Sequence, residues 1–145
     1  MDENIELLTY LYQDSDMALD NLTMLIKKLN KKDNKIKKII EGQIKGYENY
    51  LKKIKDYIKE NNYDIDSKPL ISKMGAFMGI NMEVMKDNSD SRMADMLIQG
   101  FTMGVINVTK KIDTYKDDAD KEVLKLAKEF KKFQESNIEF LKKYL

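Results

Sequence analysis

Histidine and cysteine are both absent from the chain, and proline occurs once, at Pro69. Without cysteine there are no disulfides, no thiolate metal centres and no thiol nucleophile, and the redox compartment is left open. Without histidine the chain lacks the commonest general base, the commonest transition-metal ligand and the usual switch near neutral pH. Long hydrophobic runs are missing too. The most apolar stretch, residues 93–109, contains Asp95 and falls short of the roughly 20 apolar residues that a membrane span needs. The opening M-D-E-N-I-E has none of the basic-then-apolar pattern of a secretory signal. The expectation is a cytoplasmic protein with no membrane partner, no cofactor, and no catalytic residue or metal ligand that can be named.

What the chain does have is helical pattern. Charged residues make up 35% of 145 positions, and with a single proline this favours long helices over a sandwich or barrel, in one domain spanning 1–145. Charge is unevenly placed. Residues 1–26 carry six acids and no Lys or Arg, whereas residues 27–60 carry twelve lysines against five acids. An acidic first helix beside a basic second one suits an antiparallel hairpin. The overall net charge of +1 is far from the basic balance of a nucleic-acid binder, so no nucleic-acid partner is expected.

Apolar spacing predicts five helices, at about 3–29, 33–61, 70–86, 91–115 and 119–145. The first has a seam of Ile5, Leu8, Tyr12, Ser15, Leu19, Leu22, Ile26 and Leu29, widened by Leu11, Ala18 and Leu25. The second runs Ile36, Ile40, Ile44, Tyr47, Leu51, Ile54 and Ile58, with Ile39, Gln43, Tyr50 and Tyr57 alongside. Pro69 fits the first position of the third, and Ser89 or Asp90 fits the cap of the fourth. The fourth, R-M-A-D-M-L-I-Q-G-F-T-M-G-V-I-N-V-T at 92–109, is apolar almost all round, the pattern of a helix buried at the centre of a bundle. The fifth is striped by Val123, Leu126, Ala127, Phe130, Phe133, Ile138, Leu141 and Tyr144. Short polar turns make helices 1 and 2, and helices 4 and 5, antiparallel pairs. About 29 residues between helices 2 and 4 are enough to travel the length of the bundle. Helices 2 and 4 are then parallel, and the chain is an all-α four-helix bundle with a long crossover carrying a short extra helix.

Two hairpins joined by such a crossover form the ferritin-like arrangement. The sequence also resembles a group of small uncharacterised bacterial proteins. The likeness is carried by M-A-D-M-L-I-Q-G-F-T-M-G-V-I at 93–106, D-K-E-V-L-K-L-A-K at 120–128 and F-Q-E-S-N-I-E-F-L-K-K-Y-L at 133–145. It covers most of the chain, is strongest after residue 70, and implies a fold rather than an activity. Ferritin-like di-metal sites place a Glu on helices 1 and 4 and Glu-x-x-His on helices 2 and 5. Here the nearest echo is Gln134-x-x-Asn137 on helix 5, with Gln43 and Tyr47 on helix 2, Gln99 on helix 4, and Ser15, Asp16 or Asp20 on helix 1. The resemblance therefore implies a site whose charged ligands have become amides and hydroxyls, which bind Fe or Mn poorly. Gln43, Tyr47, Gln99, Gln134 and Asn137 are candidates either for a structural polar layer or for a small-molecule pocket, and a carboxylate-only metal site is the remaining alternative.

Methionine is concentrated in the crossover. Met74, Met78, Met82 and Met85 lie on one predicted face, filling an irregular core, forming an adaptable surface for a partner or, as the least favoured reading, offering thioethers to Cu(I). Gly42 and Gly46, Gly75 and Gly79, and Gly100 and Gly104 are pairs four apart that suit close helix contacts. The function expected from these features is a non-catalytic interaction or scaffold protein that self-associates, as a dimer or with another protein. A small-ligand-binding bundle with a polar central pocket is the alternative, and a metal-binding ferritin-like protein comes third.

Overall fold

The computed structural model of the chain describes residues 2–68 and 88–145. Within them are four helices and no strand: α1 (Glu3–Lys28), α2 (Lys37–Glu60), α3 (Asp90–Tyr115) and α4 (Lys121–Lys142). The expected helix at 70–86, with Met74, Met78, Met82, Met85 and the pair Gly75 and Gly79, lies outside the described residues.

Contacts at the two ends of the bundle fix the helix directions. At one end Asn4, in the first turn of α1, donates to the Tyr63 hydroxyl just after α2 (3.1 Å). Its side-chain oxygen accepts from the backbone N–H of Asp120 (2.7 Å), ahead of α4. The Tyr115 hydroxyl, closing α3, hydrogen-bonds Glu6. At the other end the Asp90 carboxylate, opening α3, accepts from Asn34 Nδ2 (2.9 Å) and the N–H groups of Lys35 (3.1 Å) and Ile36 (3.4 Å) at the start of α2. The pairs α1/α2 and α3/α4 are thus antiparallel, and α2 and α3 run parallel. After α2 the chain turns back along α1, where Gln13 Nε2 donates to the Asp66 carbonyl (2.9 Å).

Local chemistry explains the helix ends. Asp2 caps α1 by accepting from Asn4 N–H (2.8 Å), and Ser89 Oγ caps α3 by accepting from Arg92 N–H (3.3 Å). The side chain of Ile36 cannot cap α2, which starts at Lys37 rather than at residue 33; the Asp90 carboxylate instead accepts, from across the joint, the N–H of Ile36 at the N-cap position and that of Lys35 before it. Asn62, with φ 56°, ends α2 in a left-handed residue, and Tyr63 N–H bonds back to the Ile58 carbonyl (3.0 Å) as helix C-termini favour.

Two expectations need correction. The α1 stripe is rotated: Leu7, Leu8, Leu11, Ser15, Ala18, Leu22 and Leu25 are buried, while Ile5, Tyr12, Leu19 and Ile26 are half-buried on its flanks. Helix α3 is not buried all round. It buries Met93, Ala94, Met96, Leu97, Phe101, Gly104 and Val108, but Gln99, Thr102, Met103, Ile106 and Asn107 are exposed. A bundle helix meets neighbours on one side only, so the apolar residues opposite that side stay in contact with water. The acidic α1 and the basic α2 do lie side by side as an antiparallel hairpin, and while burial raises the Asp16 carboxyl, Lys55 of α2 pulls against that rise. The four ion pairs among the described residues are Lys52–Asp56, Lys53–Glu129, Lys116–Asp113 and Lys142–Glu139, and none joins α1 to α2.

Candidate functional site

The buried stripes of three helices are each interrupted by polar residues at mid-bundle. On α1 the interruption is Ser15, on α2 Gln43 and on α4 Gln134 and Asn137, all less than 5% exposed. Larger apolar side chains are displaced to make way. Ile44, Phe133 and Ile138, which spacing alone would put in the core, are half-buried beside them. Tyr47, fully buried on α2, completes the layer, with its ring 6.2 Å from Phe101 in a stacked arrangement and 4.8 Å from Phe133 edge-on.

Two glycines shape this layer. A Cβ at Gly104 on α3 would lie 2.9 Å from Gln134 Cδ, so the glycine leaves the room that the amide occupies. A Cβ at Gly46 would lie 2.6 Å from Phe133 Cε1. Gly42 differs: it is exposed with open space around it, so the Gly42/Gly46 pair is not a continuous contact strip.

Helix α1 adds two residues that stripe counting passes over, Tyr10 and Asp14, one turn apart. Asp14 is half-buried by area, yet its carboxyl stands so deep among neighbours that burial pushes it up to about 6, against a smaller downward pull from the Gln134 amide. The carboxyl is thus crowded by neighbouring atoms without being closed off from solvent. Burial, then the Asp14 charge, raise the Tyr10 hydroxyl far above its ordinary range. Burial raises Tyr47 as well; Asp14 adds to the rise and Gln134 opposes it. Both phenols stay protonated at any physiological pH. Asp14, Tyr10, Tyr47 and Gln134 therefore interact as one group.

The hydrogen-bonding capacity of this layer is only partly met within the protein. Among the described residues seven buried atoms make no hydrogen bond of full geometry to another protein group: the hydroxyls of Tyr10, Ser15 and Tyr47, both amide atoms of Gln43, Gln134 Oε1 and Asn137 Nδ2, although the Gln134 amide stands close enough to Tyr47 and Asp14 to act on both. Native interiors pair almost all such groups, and each one left without a partner costs about 1–3 kcal/mol. By contrast, Tyr50, buried nearby, donates to the Leu126 carbonyl (2.6 Å).

Four of the five candidate ligand-binding residues, Gln43, Tyr47, Gln134 and Asn137, lie in the buried layer. Gln99 does not: it is exposed on the outer side of α3, where its Nε2 donates to Asp95 (3.0 Å). The i, i+4 spacing of Tyr10 and Asp14, continuing to Ala18, was the available signal for the two residues missed. Among the described residues no three acids stand together as a metal-ligand set, and no helix is long and apolar enough to cross a membrane. A separate open recess, lined by Lys31, Lys32, Asp33, Asn34, Asn88, Ser89 and Asp90, belongs to the hydrogen-bonded joint at the α2 end.

Among the described residues, fold and site together form a bundle of four helices with a polar, oxygen-rich layer across its core. Comparison with protein-family models, with curated proteins and with solved structures finds no match to this chain.

Proposed function

We propose that this chain is a non-catalytic, ferritin-like bundle that binds a small polar ligand in the layer formed by Tyr10, Asp14, Ser15, Gln43, Tyr47, Gln134 and Asn137. The ferritin-like assignment is supported by the two antiparallel hairpins and by the parallel course of α2 and α3, which requires a long crossover. The binding role rests on one observation, the seven buried polar atoms without a full hydrogen bond to the protein. A layer kept only for packing would favour apolar side chains, because an unsatisfied polar network is less stable than an apolar core. Half-buried Asp14 supplies the edge through which a ligand enters.

The test is native mass spectrometry of protein purified under gentle conditions without chelator, with a Gln43→Leu/Asn137→Leu variant in parallel. A retained small mass in the wild type that the variant loses supports the proposal. A bare protein mass, with only water in the layer in a high-resolution crystal structure, overturns it.

Self-association as a scaffold is a second reading, favoured by Met103 and Ile106, which are 53% and 42% exposed on the outer side of α3. It rests on two apolar residues, against a whole core layer for ligand binding. Sedimentation at high concentration tests it: a monomer that a Met103→Gln/Ile106→Gln variant leaves unchanged would remove it.

A further inference from the structure

Taking the ligand-binding reading as its basis, we infer that the core layer is built for a small monovalent cation, an alkali ion or a compact ammonium group, held by the Asp14 carboxylate and neutral oxygens around it. The first ground is charge. Asp14 forms none of the ion pairs among the described residues. The nearby lysine on α3, Lys111, lies over the Tyr10 ring, 5.6 Å from its centroid. On α2 the layer presents Gln43 and Tyr47, and on α4 Gln134 and Asn137. A half-buried carboxylate crowded by neutral groups and without a positive partner is costly, and one positive charge makes the site neutral. A divalent ion would leave an uncompensated charge in the same place and would lack the several carboxylates that such ions recruit.

The second ground is ligand chemistry. The atoms without a full hydrogen bond include three hydroxyl oxygens and the amide oxygens of Gln43 and Gln134. Hydroxyl and amide oxygens replace the hydration shell of a weakly hydrated monocation, and they accept equally from an ammonium N–H. The imidazole and thiolate ligands that would select most transition metals are missing, since the chain has neither histidine nor cysteine. The third ground is the wall. Tyr47 packs among Phe101, Phe130 and Phe133, and aromatic rings attract cations to their faces. Close packing of Gln134 against Gly104 limits the occupant to something compact.

The experiment is thermal unfolding of the full chain at pH 7.5 and constant ionic strength, with tetramethylammonium chloride as the background salt because its cation is too large. Potassium, sodium, ammonium and methylammonium chlorides are titrated in turn, with magnesium chloride and neutral acetamide as comparisons. At least one small monocation is expected to raise Tm by about 5–10 °C at a hundredfold excess over its Kd. Magnesium and acetamide are expected to do little. A response confined to potassium and sodium identifies an alkali site, and one confined to the amines identifies an ammonium site. Asp14→Asn, which keeps the shape and removes the charge, should abolish the response, while Asp16→Asn on the same helix should retain it. Stabilisation by acetamide alone would overturn the cation inference and leave the ligand-binding proposal standing. Equal stabilisation by magnesium, or an unchanged response in Asp14→Asn, would overturn the inference as well. If no probe acts and native mass spectrometry shows bare protein, both fall.

Discussion

Asp14 holds a charge that no neighbouring basic group balances, and this has a consequence for stability before any ligand is added. Burial raises its carboxyl from 3.8 to about 6, so between about pH 4 and 6 the native state binds more protons than the unfolded chain. Stability contributed by this group is therefore greatest below that window and is lost as the pH rises through it. Asp14→Asn should raise unfolding stability by about 1–3 kcal/mol at pH 7, allowing for the partial exposure of the side chain, and change it little at pH 4. Urea denaturation of both proteins at the two pH values checks this; an equal gain at both would mean that charge is not the cause. The glycines give a second contrast. Gly42 has open space around it, so Gly42→Ala should gain about 0.5–1 kcal/mol from helix propensity. Gly104→Ala would push into the Gln134 side chain and should lose about 1–3 kcal/mol. Tm values of the two variants should move in opposite directions.

At the scale of the elements, the hairpins and the parallel α2 and α3 were legible because turn length and helix length leave little choice of topology. The inward residue of each helix was less legible. Ser15, already in the α1 seam, and Gln43, Gln134 and Asn137, singled out by the ferritin-like comparison, do lie on the buried lines of their helices although bulkier apolar neighbours were available. Asp14 and Tyr10 were missed because a stripe drawn through the apolar residues of α1 passes beside them. Helix α3 misled in the other direction, because Met103 and Ile106 are apolar yet exposed and composition does not say which side faces a neighbour. Nor could spacing show that the start of α2 is held by Asp90 of another helix. That contact carries a prediction. Asp90→Ala should cost about 0.5–2 kcal/mol, and the amide hydrogens of Lys35 and Ile36 should exchange faster while those in the middle of α2 are unaffected. Uniform acceleration along α2 would show that the contact does more than close one end.

For the molecule as a whole, the polar layer sets stability against binding. Replacing Ser15 by Ala and Gln43 and Asn137 by Leu removes four of the seven atoms without a full hydrogen bond and should raise global stability by about 2–5 kcal/mol while abolishing retention of any small mass. Loss of stability in the triple variant would mean that water or a ligand already satisfies these groups in the protein as purified. The joint between Asp90 and residues 34–36 also bears on the first hairpin taken alone. Asp90 lies well beyond Glu60, the end of α2, so a first hairpin formed without the second half of the chain would lack this acceptor for Lys35 and Ile36 and would leave the inner sides of both helices uncovered. Cut after residue 68, the chain would therefore expose the apolar stripes of α1 and α2 to water and pair them with whatever apolar surface is at hand.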